Sequence, residues 1–146
     1  MGRIATSRQI AAPVERVFDV VAHVENFREA VPDIVRVEYT SATRKGPGTR
    51  FKETRRMGRR EATVELEVTE YEPNERVRIV SDAGGTVWDT TFRVTPSGGG
   101  TELSMVMDDR PHKLLARLFT PLVRPMVRKA VGRDMDAVQA FCEGQA

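Results

Sequence analysis

Three ionisable residues of this chain stand among apolar neighbours, and they are its best candidates for chemistry. Glu53 and Arg55 follow Phe51 at period two in the run Phe51-Lys52-Glu53-Thr54-Arg55-Arg56-Met57. If that run is a strand with Phe51 turned inward, then Glu53, Arg55 and Met57 turn inward as well. The third is Asp134. At about 100° per helical residue it falls between Met126, Ala130 and Phe141 on one side and Val127, Val131 and Val138 on the other. An acid and a base converging on an apolar cavity can anchor the polar end of a ligand or move a proton.

Each has a plainer reading. A bulge or a wide opening would leave Glu53 and Arg55 in solvent. An ionised Asp134 among apolar side chains needs a partner or water. A salt bridge to a sheet arginine such as Arg55 would make it structural. Water within a cavity would make it a ligand anchor or a general acid/base with a raised pKa. A rotated helix would simply expose it.

The remaining reactive residue types carry less. His23 and His112 are the only histidines, and neither has a Cys, Asp or Glu at metal-ligand spacing. A surface role is expected for both, and neither a metal nor a cofactor is expected. No serine has the nucleophile-elbow setting. Gly46-Pro47-Gly48-Thr49 lacks the Gly-Lys-Ser/Thr ending and the following helix of a phosphate loop, so it reads as a hairpin turn. Cys142 is the single cysteine and lies on an apolar helix face, the setting of a packed thiol. Tyr71 and Trp88 either line a pocket or pack in the core.

These residues must be positioned by strands and one long helix. Arg3 to Ala11 alternates loosely as a first strand. Pro13 suits the first turn of a helix that carries Val14, Val17, Phe18 and Val21 on one face. Asn26 is placed to cap a second short helix that Pro32 stops. Six further strands follow, separated by Lys45-Gly46-Pro47-Gly48, Gly58, Pro73-Asn74, Gly84-Gly85 and Pro96-Ser97-Gly98-Gly99-Gly100. The clearest is Glu61 to Tyr71, where Ala62, Val64, Leu66 and Val68 are expected to face inward and Thr63, Glu65 and Glu67 to face water. Trp88, Thr90, Phe92 and Val94 share one face of a later strand, and Leu103, Met105 and Met107 belong to the last. The region from about His112 to Phe141 reads as one long amphipathic helix, with a break or kink expected at Pro121 or Pro125. A helix of that length needs a large surface, and a sheet curved around it supplies one.

The 146 residues form one domain, 1–146, of ordinary composition, 40% hydrophobic and 30% charged. No signal peptide or membrane-length apolar run is visible, and a lone cysteine fits a reducing compartment, so a soluble cytoplasmic protein is expected. Net charge is only +2, but two clusters are basic. One is Arg55, Arg56, Arg59 and Arg60. The other runs from Arg110 through Lys113, Arg117, Arg124, Arg128 and Lys129 to Arg133. A solvated surface is the default reading. Contact with an anionic membrane surface is the second, because Leu114, Leu115, Leu118 and Phe119 intermingle with these cations. The aromatics that base stacking requires do not accompany the arginines, which argues against nucleic acid.

The order of elements, with several local motifs, resembles the START-like (SRPBCC, helix-grip) superfamily. The motifs are the opening Ile10-Ala11-Ala12-Pro13-Val14-Glu15-Arg16-Val17-Phe18 and the short helix ending at Pro32, followed by Gly46-Pro47-Gly48-Thr49-Arg50-Phe51. Glu70-Tyr71-Glu72-Pro73 and Phe92-Arg93-Val94-Thr95-Pro96 complete them. The resemblance spans the chain and implies an α+β fold, a seven-stranded antiparallel sheet gripping the C-terminal helix. Between them it implies an apolar cavity that binds a lipid, polyketide or quinone. Phe51, Glu53, Arg55, Leu66, Val68, Trp88, Thr90, Phe92, Met105, Met126, Ala130 and Asp134 are then the cavity candidates. Binding or transport of a small hydrophobic ligand is the leading reading. A polyketide aromatase/cyclase-like enzyme is the alternative, and a protein acting through its basic surface on membrane or RNA is a third.

Overall fold

Turn residues interrupt the alternating segments where expected, and the computed structural model, which describes residues 2–144, shows seven strands and three helices. β1 (Gly2–Ile10) leads into α1 (Val14–Ala22) and α2 (Val24–Ala30). There follow β2 (Ile34–Tyr39), β3 (Arg50–Met57), β4 (Arg60–Glu72), β5 (Arg76–Ala83), β6 (Thr86–Ser97), β7 (Gly100–Pro111) and α3 (Leu114–Cys142). The strands form one antiparallel sheet in the order β1-β7-β6-β5-β4-β3-β2. This is the expected helix-grip architecture.

On β4, Val68 is buried and Ala62, Val64 and Leu66 are half-buried, while Thr63 and Glu65 are exposed. A slip of one residue would reverse every one of these positions. The register with β3 places Phe51 opposite Leu66, Glu53 opposite Val64 and Arg55 opposite Ala62. Opposed residues share a face, so the acid and the base of β3 lie on the same side as the inner apolar row of β4.

The core fills the space between the concave face and the helices. Phe18 of α1, Leu103 and Met105 of β7, and Met135 and Val138 of α3 are almost fully buried. Each such side chain contributes about 1.5–3 kcal/mol by leaving water. On the opposite face, Arg78 of β5 binds Asp89 through two hydrogen bonds at 2.8 and 2.6 Å, and Arg110 reaches the same carboxylate at 3.1 Å.

Two local expectations are corrected. α3 passes through Pro121 and Pro125 without interruption. Both prolines are exposed, so the carbonyls they leave unpaired lie towards water. Anchors on the inner face hold the same stretch to the sheet. The Thr120 and Thr86 hydroxyls meet at 2.8 Å, and Arg124 donates twice to Asp109, at 2.8 Å each. Asn26 does not cap α2, which begins earlier, after His23. The Asn26 amide donates instead to the Asp19 carbonyl at 3.0 Å, tying α2 back to α1. At its far end α3 is closed by Arg16, which donates to the carbonyls of Cys142 at 2.7 Å and Phe141 at 2.9 Å. A cation there also opposes the negative end of the helix dipole.

Candidate functional site

α3 lies against β1, β7 and β6, while α2 packs on β2 and α3. The sheet curves away beneath them and leaves a cavity of about 360 Å³. That is the low end of the range for small-molecule sites. Strand alternation supplies most of its wall: Phe51 from β3, Leu66 and Val68 from β4, Ile79 from β5, Trp88, Thr90 and Phe92 from β6, and Met105 and Met107 from β7. α3 supplies Val127, Ala130, Val131, Asp134, Met135 and Val138 at helical spacing. Phe27 of α2 closes one side, its ring centroid 6.1 Å from that of Phe92.

Three ionisable side chains of this wall form one ion-paired cluster. Arg55 donates through Nε to Glu53 Oε2 at 3.0 Å, and through both terminal nitrogens to Asp134 Oδ1 and Oδ2 at 3.1 and 2.9 Å. The Asp134 carboxylate is therefore paired, as the salt-bridge reading requires, and it also lines the cavity. Burial works against the Arg55 charge, but the two carboxylates outweigh it and hold the guanidinium above its ordinary pKa. Arg55 is a fixed cation, unsuited to giving up a proton. Glu53 Oε1 has no hydrogen-bond partner among the described residues, and the residue lines the cavity. One oxygen of this cavity-lining carboxylate is thus free to accept a further hydrogen bond.

A second polar group lies at the junction of the α1–α2 hinge with the β2–β3 loop. His23, Arg44 and Lys45 border the cavity there, and Arg44 and Lys45 are exposed, so the cavity reaches the surface at this point. Thr49 is buried beside them, its hydroxyl donating to the Gly46 carbonyl at 2.7 Å, which closes the turn from within. Burial, reinforced by Lys45, lowers the His23 pKa against the opposing pull of Asp19.

Of the residues picked out by pattern, Phe51, Glu53, Arg55, Leu66, Val68, Trp88, Thr90, Phe92, Met105, Ala130 and Asp134 border the cavity. Met126 does not. It is 66% exposed on the outer face of α3. That helix carries more apolar residues than the sheet can cover, and Val127 takes the inward position. Tyr71 packs edge-on to Phe18, with centroids 5.4 Å apart, and belongs to the core. His112 is a surface residue hydrogen-bonded to Asp82 at 2.8 Å. His23 overturns the surface expectation, because the α1–α2 hinge turns its ring inward. Its place between Ala22 and Val24 was the available signal. Among the described residues no group of three His, Cys, Asp or Glu could hold a metal ion, and no helix is long and apolar enough to cross a membrane.

Comparison with known proteins gives a consistent picture. The sequence model of the family described as "Polyketide cyclase / dehydrase and lipid transport" matches residues 1–143. No curated protein matches the chain. Among solved structures, a protein from Thermus thermophilus superposes with a TM-score of 0.73 at 20% identity, over 99% of this chain and 96% of that one. Norcoclaurine synthase from Thalictrum flavum gives 0.69 at 16% identity, over 96% of this chain and 92% of the truncated enzyme. The di-domain ARO/CYC protein StfQ of the steffimycin biosynthetic pathway gives 0.80 at 11% identity, where 98% of this chain covers 51% of the larger one. At such identities these likenesses establish the fold alone.

Proposed function

The chain belongs to the polyketide cyclase/dehydrase and lipid transport family, and from that premise we propose that it binds a small hydrophobic molecule between sheet and helix. The observation that carries this reading is the cavity itself. About 360 Å³ of space is walled by Phe, Leu, Val, Ile, Met and Trp side chains and interrupted by one ion-paired cluster, Glu53–Arg55–Asp134. Apolar walls supply affinity without direction, and a few fixed polar groups set orientation. The unpaired oxygen of Glu53, a residue that lines the cavity, favours a ligand with a hydroxyl or another hydrogen-bond donor at one end. Native mass spectrometry of the purified chain tests the proposal. A co-purified apolar compound is expected, and Ala130→Phe, which projects a ring into the cavity, should lose it while melting normally. Undiminished loading of that variant would refute the assignment.

A second reading follows from the same carboxylate. Glu53 can take a proton from a ligand held beside it, as a cyclising or dehydrating enzyme requires. Glu53→Gln separates the two. It keeps the hydrogen-bond acceptor and most of the binding but abolishes any turnover of the captured compound.

A further inference from the structure

The first half of α3 presents an apolar face that is left exposed among the described residues. Leu114, Leu115, Leu118, Phe119, Leu122 and Met126 are 56–75% exposed. Leu115, Leu118, Leu122 and Met126 recur at spacings of three and four, so they form one stripe along the helix. The opposite side of the same turns is the anchored one, with Ala116 and Thr120 buried and Arg124 bonded to Asp109. The stripe therefore points directly away from the sheet. An apolar patch of this extent on a folded chain marks an interaction surface.

Charge identifies the partner. From Leu114 to Arg133 the chain has no acidic residue. Arg124 is paired, whereas Arg117, Arg128, Lys129 and Arg133, with Lys113 just before the helix, have no acid within salt-bridge distance among the described residues. A second copy docked on this stripe would bring two sets of these cations together with no acid between them, and like charges at an interface are costly. Topology adds to the basic field. β3, β5 and β7 all finish at the end of the sheet where α3 begins, so the β3–β4 turn, with exposed Met57, lies at the same end. Arg59 and Arg60 of that turn have no acid within salt-bridge distance among the described residues, while Arg56 is paired with Glu61 at 3.7 Å. We propose that the first half of α3 is a docking face for an anionic lipid bilayer. Its leucines, Phe119 and Met126 sink into the acyl boundary, while the flanking lysines and arginines engage lipid phosphates. Val127 and Ala130 line the cavity from the other side of this helix, so a docked molecule would hold its cavity wall next to the membrane. The docking itself is independent of any ligand in that cavity.

Co-sedimentation of the full chain with vesicles tests this. Equal parts of phosphatidylglycerol and phosphatidylcholine should pellet the protein at low salt, and phosphatidylcholine alone should pellet much less. High salt should weaken the binding without abolishing it, because the apolar contribution is not screened. Leu118→Ser/Leu122→Ser should weaken binding roughly tenfold or more, and Arg117→Glu/Lys129→Glu should remove most of the low-salt binding. All four side chains are outside the core, so both variants should melt like the parent. Absence of binding to the anionic vesicles at low salt, or undiminished binding by the leucine variant, would overturn the proposal. So would a solution dimer that Leu122→Ser dissolves, which would assign the face to a second copy.

Discussion

Asp134 on α3 accepts a hydrogen bond from each terminal nitrogen of Arg55 on β3, at 3.1 and 2.9 Å, so a two-pronged ion pair joins helix to sheet across the cavity wall. The same guanidinium also serves Glu53 at 3.0 Å. The three residues are unequal as a result. Loss of Asp134 leaves Arg55 with one carboxylate, whereas loss of Arg55 strands two. Arg55→Met is expected to cost about 3 kcal/mol and Asp134→Asn about 1 kcal/mol. Urea unfolding at constant m reads both values. Equal costs would mean that Glu53 does not share the cation.

Trp88 is the only tryptophan and its side chain borders the cavity. Its emission should therefore shift to shorter wavelength when an apolar compound displaces water beside the indole. The shift should saturate with added compound and be absent from Ala130→Phe. A compound that binds according to mass spectrometry yet leaves the emission unchanged would have to sit elsewhere.

Acid stability should depend on Asp109. The two hydrogen bonds from Arg124 outweigh the effect of burial and hold this carboxyl below its ordinary pKa. The unfolded chain thus takes up this proton more readily than the folded one. The resulting stabilisation is complete above the unfolded value of about 3.9 and is lost as pH falls through the lower folded value. Asp89, held down chiefly by Arg78 and then by Arg110, acts in the same direction. Asp109→Asn should be less stable at pH 7 and show a shallower loss of stability below pH ~4. Urea midpoints measured across that range would reveal an unchanged slope if the pair were unimportant.

His23 should produce a separate step at higher pH. Because burial lowers its folded pKa, the unfolded chain binds the proton first as pH falls below about 6.5. Stability contributed by the neutral ring is fully present above that value and declines until the folded pKa is passed. His23→Gln should remove this step, and an NMR titration of the ring should place its midpoint below the ordinary value.

Cys142 is buried, and burial pushes its thiol up to about 11. At pH 8 it should resist aromatic disulfide reagents in the folded protein and react promptly once urea unfolds the chain. Rapid labelling under native conditions would mean that the end of α3 opens freely.

Much of the fold is legible along the chain because neighbouring residues encode it. Period-two alternation from Ala62 to Val68 and glycine-marked turns define strands from local geometry, and the order of the segments restricts them to an antiparallel sheet. The same alternation turns Phe51, Glu53 and Arg55 to one face without reference to any partner. What remains depends on contacts between distant segments. Arg55 and Asp134 are 79 residues apart, and which of several outlets Asp134 takes is set by how α3 is rotated against the sheet. Helical spacing shows that α3 is apolar on more than one side. It does not show that Val127 is covered and Met126 left in water, because burial is decided by the surface that arrives. Nor do Pro121 and Pro125 end the helix as local propensity predicts. The bonds Thr120–Thr86 and Arg124–Asp109 clamp that stretch to the sheet, and tertiary anchoring of this kind overrides a loss that two missing backbone hydrogen bonds would otherwise decide.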